Sequence, residues 1–226
     1  MFTKKRNFAN LNMTINIENQ CIAKTNQTKF LGIIIDDKLT WKPHLLYLTG
    51  KVSRSIGIIS KTMHILDKDC LKILYFALVY PYLTYCNQVW GSTYPTNLNR
   101  LQLLQKKVIR IISRSGYLSH TGDLFSSLGL LTIANINVYL TGCFMFRLHH
   151  GLSLDIFDNF FVSNYDIHDY STRSSSLLHT PKIKSNLSKS GIRYHGARIW
   201  NDILKSDLNI NVSESSFKIA FKKYLL

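Results

Sequence analysis

Beyond Trp41 the apolar residues change from the period of a strand to that of a helix, and this switch constrains the fold more than any other feature. Over 43–64, Leu45, Leu48, Val52, Ile56, Ile59 and Met63 recur at three- and four-residue steps and fall on one stripe, while Lys51, Arg54 and Lys61 fall together on another. That spacing predicts an amphipathic helix with a basic outer face. Upstream, convincing strand signals are confined to 14–18, which alternates, and to 29–35, a short β-branched run. The expected fold is mainly α: a helical bundle preceded by a short β-hairpin.

Later segments extend the helical pattern. Asp67 can cap a second helix running to about Val79, and Pro81 should break it before the aromatic run 82–90. Thr96 can cap a third helix to about Arg114. Its apolar arc holds Leu101, Leu104, Val108, Ile111 and Ile112, and Arg100, Lys107, Arg110 and Arg114 cluster opposite. Residues 132–150 read as another apolar helix, closed by Gly151 as a C-terminal cap. From 153 to 188 the chain turns loop-like and Ser/Thr/Asn-rich, with Arg173 in Ser-Thr-Arg-Ser-Ser-Ser. Hydroxyls and cations both bond phosphate oxygens, so this linker is suited to wrapping a nucleic-acid backbone. A last amphipathic helix spans 213–226, with Phe217, Phe221, Tyr224 and Leu225 packing on one side. Trp200 could stack a base beside Arg193 and Arg198, but Ile192, Ile199, Ile203 and Leu204 surround it and favour a core position.

With 28 Lys+Arg against 13 Asp+Glu, the formal charge of +15 points to a polyanionic partner, nucleic acid first and an acidic membrane surface second. The cysteines Cys21, Cys70, Cys86 and Cys143 lie far apart without a C-x-x-C pair, which argues against structural zinc and fits a reducing compartment. Met1-Phe-Thr-Lys-Lys-Arg is followed by polar residues rather than an apolar run, unlike a secretory leader. The most apolar stretch, 71–90, is interrupted by Lys72, Pro81, Asn87 and Gln88, so stable membrane insertion is not expected and an intracellular location, nucleus or cytoplasm, is. Adjacent His149 and His150 point about 100° apart on a helix and do not suit a shared ion.

Asp36-Asp37 follow an apolar run, as the metal-binding pair of a nucleic-acid polymerase does. Such a pair sits at a hairpin tip and clamps divalent cations. Here Lys38-Leu-Thr-Trp-Lys-Pro-His44 follows, and a proline that suits a first helical turn marks a helix entry instead. No catalytic and no metal-binding residues are assigned on this reading.

Five segments in order, Lys-Phe-Leu-Gly-Ile-Ile-Ile-Asp (29–36), Leu-Thr-Trp-Lys-Pro-His (39–44), Leu-Tyr-Phe-Ala-Leu-Val-Tyr-Pro-Tyr-Leu-Thr-Tyr-Cys-Asn-Gln-Val-Trp-Gly (74–91), Leu-Gln-Leu-Leu-Gln-Lys-Lys-Val-Ile-Arg-Ile-Ile (101–112) and Tyr-His-Gly-Ala-Arg-Ile-Trp-Asn (194–201), closely resemble the C-terminal half of reverse transcriptases from non-LTR, LINE-type retrotransposons. The resemblance implies a palm-edge and primer-grip β remnant over 1–41, a helical thumb-like domain over 42–152, a linker over 153–188 and a C-terminal helical segment over 189–226. It implies that Phe30, Leu31 and Gly32 hold the primer end. Lys51, Arg54, Lys107, Arg110 and Arg114 would line the thumb face that grips a template-primer duplex of RNA and DNA. Lys61, Arg100, Arg173, Arg193 and Arg198 join them as candidate nucleic-acid contacts.

The family's aromatic-x-Asp-Asp hairpin, which normally precedes the primer grip, has no counterpart here. Fingers, most of the palm, the endonuclease and a Cys/His knuckle are lacking too, so the chain looks like a truncated or degenerate reading frame or a mis-predicted gene fragment. It is not expected to polymerise by itself, needs no cofactor of its own since magnesium would serve only an intact polymerase, and has the missing palm and fingers as a further partner. Three functions compete: the gripping part of a reverse transcriptase, a stand-alone basic nucleic-acid-binding module without enzymatic activity, and a basic, aromatic-rich helical protein at membranes.

Overall fold

A computed structural model describes residues 15–18, 20–157, 159–167 and 174–226. Two antiparallel hairpins come first: β1 (Ile15–Ile17) with β2 (Gln20–Ile22), and β3 (Gln27–Phe30) with β4 (Ile33–Asp36). The run 29–35 is thus not one strand. It folds back at Leu31-Gly32, with φ of 45° and 82°, both in the left-handed region that the mirror-image hairpin turns require. Glycine takes such a φ without steric cost; Leu31 does not, and its carbonyl is anchored by the Tyr85 hydroxyl at 2.7 Å.

Helix α1 (Lys42–Thr62) has Pro43 in its first turn, where the missing N–H is no loss. Trp41 enters it with φ 63°, and Asp36 holds that turn: its carboxylate accepts from Thr40 N, Thr40 Oγ1 and Trp41 N at 2.9–3.0 Å. Asp67 caps α2 (Lys68–Leu78) through Cys70 N. Pro81 opens the short α3 (Tyr80–Thr84), and α4 (Asn87–Trp90) follows. Helix α5 (Pro95–Ser113) starts with Pro95 in its first turn after Tyr94, so Thr96 lies inside the helix and is not its cap. Helix α6 (Gly122–Leu128) precedes α7 (Ile133–His149), which Thr132 caps through Asn135 N and which ends at Gly151 with φ 63°. The chain closes with α8 (Asn186–Lys189), α9 (Ile192–Lys205) and α10 (Glu214–Leu225).

Thr40, just before α1, accepts bonds from Thr93 and Asn97 at the start of α5, while Arg114 at the end of α5 reaches the carbonyls of Met63 and Leu66 after α1. The two helices therefore run parallel. Their apolar stripes, with Leu71, Tyr75, Leu83, Trp90, Phe125, Ile133 and Ile136, form one core. A second core joins the later part of α7, through Cys143, Met145 and Phe146, to Trp200 and Ile203 of α9 and to Phe217 and Phe221 of α10. Gly142 permits that approach, since a Cβ there would lie 2.3 Å from the Phe221 ring. Trp200 is a core residue, 1% exposed, whereas Tyr224 lies at the edge of this core, largely exposed with its ring stacked 6.4 Å from that of Phe221.

The 153–188 segment is stitched down where it is described. Both polar ends of the Asn201 side-chain amide bond the backbone of Leu178 at 2.8 Å, and Ser163 bridges Leu178 in antiparallel fashion. Arg173 and Thr14 lie outside the described residues.

Candidate nucleic-acid interface

Among the described residues one ion pair forms, Lys218 with Glu214 at 2.6 Å, so nearly all the positive charge is left without a carboxylate partner. Part of it gathers beside the β3–β4 hairpin. Lys29 of β3 and Lys51 of α1 lie 5.9 and 5.5 Å from the centroid of the Tyr47 ring, which holds two ammonium groups together through its π face. The neighbouring hairpin tip is bare: Phe30 is 61% and Leu31 72% exposed. From Lys51 the basic face continues along α1, because Arg54 and Lys61 recur at three- and seven-residue steps; both are exposed. Arg54 lies along its own helix, Nε to Gly50 O at 3.3 Å.

Parallel packing brings the C-terminal ends of α1 and α5 side by side, and a groove of about 440 Å³ opens between them. Lys107, Arg110 and Arg114 line it with Ser60, Met63, His64, Ile111, Ser115 and Tyr117. Beyond the two helix ends the arginines hold loop carbonyls: Arg114 Nη2 donates to Leu66 O at 3.0 Å, and Arg110 Nε to Ser119 O at 2.9 Å. A guanidinium carries five N–H donors, so each keeps others for a ligand.

The remaining candidates are dispersed. Arg100 is exposed near the start of α5, away from the groove. Arg193 sits over the Phe160 ring at 5.8 Å, and Arg198 is exposed on α9, which packs against α7 rather than beside α1 and α5. Reading the sequence missed Lys29, Tyr47, Tyr85 and Tyr117. The four-residue step from Tyr47 to Lys51 was a usable signal; nothing local marks Tyr85 as the anchor of a turn 54 residues away.

The motif residues do different work. Asp36 is buried with both carboxylate oxygens bonded; burial raises its pKa, but the bonds from Thr40 and Trp41 outweigh this and hold it below the usual carboxylate value. A polymerase aspartate must offer open oxygens to divalent cations. Asp36, with its oxygens engaged, does not fit that need, and among the described residues no three His, Cys, Asp or Glu side chains gather around a cation-sized space. Buried Asn87 of α4 and Asn137 of α7 form a chain with half-buried His195 of α9: Asn137 Nδ2 donates to Asn87 Oδ1 at 2.9 Å, and Asn137 Oδ1 accepts from His195 Nε2 at 2.8 Å. Gly91 makes room for it, since a Cβ there would lie 2.3 Å from Asn87 Oδ1 and 2.7 Å from Asn137 Nδ2. The segments 74–91 and 194–201 thus meet in the interior as fold determinants.

The probable RNA-directed DNA polymerase from transposon BS of Drosophila melanogaster is 29% identical over 146 residues, 61% of this chain and 16% of that protein. The RNA-directed DNA polymerase from mobile element jockey of Drosophila funebris is 30% identical over 113 residues, 49% and 12% of the two chains. The chain is related to the RNA-directed DNA polymerases of non-LTR retrotransposons. The probable RNA-directed DNA polymerase from transposon X-element of Drosophila melanogaster, 27% identical over 121 residues, agrees, and here too the matched stretch is a small share, 13%, of the relative. No family model and no solved structure matches. Among the described residues no single helix is long and apolar enough to cross a membrane; α6 and α7 reach that length only as a pair bent by 46°.

Proposed function

We propose that the chain is a nucleic-acid-gripping portion of a non-LTR retrotransposon reverse transcriptase, in which the α1 and α5 face tracks the phosphates of an RNA–DNA template-primer duplex and the β3–β4 tip, Phe30-Leu31-Gly32, lies at the primer end. The observation that carries this reading is cationic charge left without carboxylate partners at two places on these elements, Lys29 and Lys51 at the Tyr47 ring and Lys107, Arg110 and Arg114 in the groove between the ends of α1 and α5, in a molecule with a single ion pair among its described residues. The chain alone is assigned no nucleotidyl transfer, because the Asp36 carboxylate is spent on the turn into α1.

Fluorescence anisotropy with a labelled heteroduplex across a salt series tests the grip. Five neutralised phosphates give a log–log slope of about −4.5, a loss of about 500-fold between roughly 50 and 200 mM salt. A slope shallower than about −1 would remove the electrostatic reading. Primer extension by this chain with magnesium and nucleotides would refute the assignment of Asp36.

A further inference from the structure

Resting on that reading, the groove between the ends of α1 and α5 has a shape that backbone tracking does not explain. A duplex presents a convex, double-stranded surface, whereas this is a recess of about 440 Å³, within the size range of small-ligand pockets. Its lining divides by chemistry. Met63 and Ile111 give an apolar floor; Lys107, Arg110 and Arg114 give three cations; Ser60 and Ser115 give hydroxyls; no carboxylate lines it. Asp67, whose charge reaches Arg114, is engaged as the cap of α2. At the margin stands Tyr117, 82% exposed and carried on a loop that is held rather than free, since Arg110 bonds Ser119 O and Ser119 N bonds Gly116 O at 3.0 Å. An exposed ring beside fixed cations is the arrangement that stacks a base while its phosphate is neutralised.

We propose that this groove seats one unpaired nucleotide of a bound strand, its base against Tyr117 and the Met63–Ile111 floor and its phosphate among Lys107, Arg110 and Arg114. A helical grip with such a seat distinguishes a junction between paired and unpaired strand from continuous duplex. The arginines are pre-positioned by their bonds to Leu66 and Ser119 carbonyls, so little side-chain ordering remains for the ligand to impose.

Anisotropy of two labelled substrates, a blunt duplex and the same duplex with a short single-stranded extension, tests this. The parent chain should prefer the extended substrate by about tenfold, as stacking of one base on an aromatic ring implies. Tyr117→Ala should bring affinity for the extended substrate down to that for the blunt one, Tyr117→Phe should keep the preference, and Lys51→Ala should weaken both substrates by the same factor. Melting curves of each variant guard against misfolding. Equal affinity of the parent for both substrates, or a preference that survives Tyr117→Ala, overturns the seat while leaving the duplex grip standing. Absence of binding to either substrate at low salt overturns both.

Discussion

Asn137→Leu isolates the polar chain from the charged surface. Asn137 is 3% exposed and serves three partners: its Nδ2 donates to the Asn87 carbonyl at 3.0 Å and to Asn87 Oδ1 at 2.9 Å, and its Oδ1 accepts from His195 Nε2 at 2.8 Å. The Asn87 carbonyl keeps a bond from Gly91 N at 2.7 Å, so the substitution orphans two groups, the His195 N–H and Asn87 Oδ1. A buried polar group left unmade costs about 1–3 kcal/mol, and the leucine offsets part of this by apolar burial. The expected net loss is about 2–3 kcal/mol, or roughly 5–10 °C in melting temperature for a chain of this length. Thermal denaturation followed by circular dichroism measures it. His195→Leu alone orphans Asn137 Oδ1, but combined with Asn137→Leu it removes the very donor that the first change stranded. The double variant should therefore be less destabilised than the sum of the singles by about 1 kcal/mol or more, well beyond the roughly 0.5 kcal/mol scatter of independent sites. Additive losses, or an Asn137→Leu melt within about 1 °C of the parent, would show that the chain holds nothing together.

Trp200→Ala should cost about 3–5 kcal/mol through the cavity left between His149 and Phe217, seen as a lower melting temperature; unchanged melting with lost duplex binding would make Trp200 a contact instead. Asp36→Ala strands the amides of Thr40 and Trp41 and should cost about 1–3 kcal/mol in a denaturant titration, with unaltered stability the refuting result. Burial holds His44, His149 and His195 below the ordinary 6.5, and for His195 the nearby Arg198 adds to this. The unfolded chain then binds more protons than the folded one in the window just below 6.5, so stability should be full above that value and fall as pH drops through it. His44 is the most exposed to this penalty, since its buried Nε2 has no hydrogen-bond partner. Denaturant midpoints that stay flat from pH about 7.5 to about 5 would contradict this sign.

How much of this could be read from the chain depended on whether a feature was periodic. The stripes of α1 and α5, the Asp67 cap, the break at Pro81 and the burial of Trp200 were all legible, because they follow from spacing or from side-chain chemistry at one site. The turn at Leu31-Gly32 was not, since it lacks the Asn-Gly or Asp-Gly pair that marks such hairpins and places a leucine at positive φ. Pro95 at the start of α5 was the better signal than Thr96, a proline in the first turn outranking a hydroxyl one residue later. Asn87, Asn137 and His195 have no local signature at all: polar residues on apolar faces become intelligible only when three helices bring them together. The groove at Tyr117 is of the same kind, made by two parallel helices whose ends meet.

Residues that fix the fold and residues that carry the charge are largely separate in this chain, and that separation has a physical reason. Asp36, Trp90, Asn87, Asn137, His195, Trp200 and Asn201 each satisfy a buried group or fill a core position, so replacing any of them disturbs packing before it disturbs binding. Lys29, Lys51, Lys61 and Lys107 project from surfaces whose backbone bonds and apolar contacts are complete without them, and an exposed lysine on a helix contributes little to stability. Arg110 and Arg114 are the exceptions, holding loop carbonyls with one donor while keeping others for a ligand. Lysine substitutions should therefore lower the salt slope at constant melting temperature, whereas the two arginines should shift both together. The paired readout tells a charge that only attracts phosphate from one that also builds the groove receiving it.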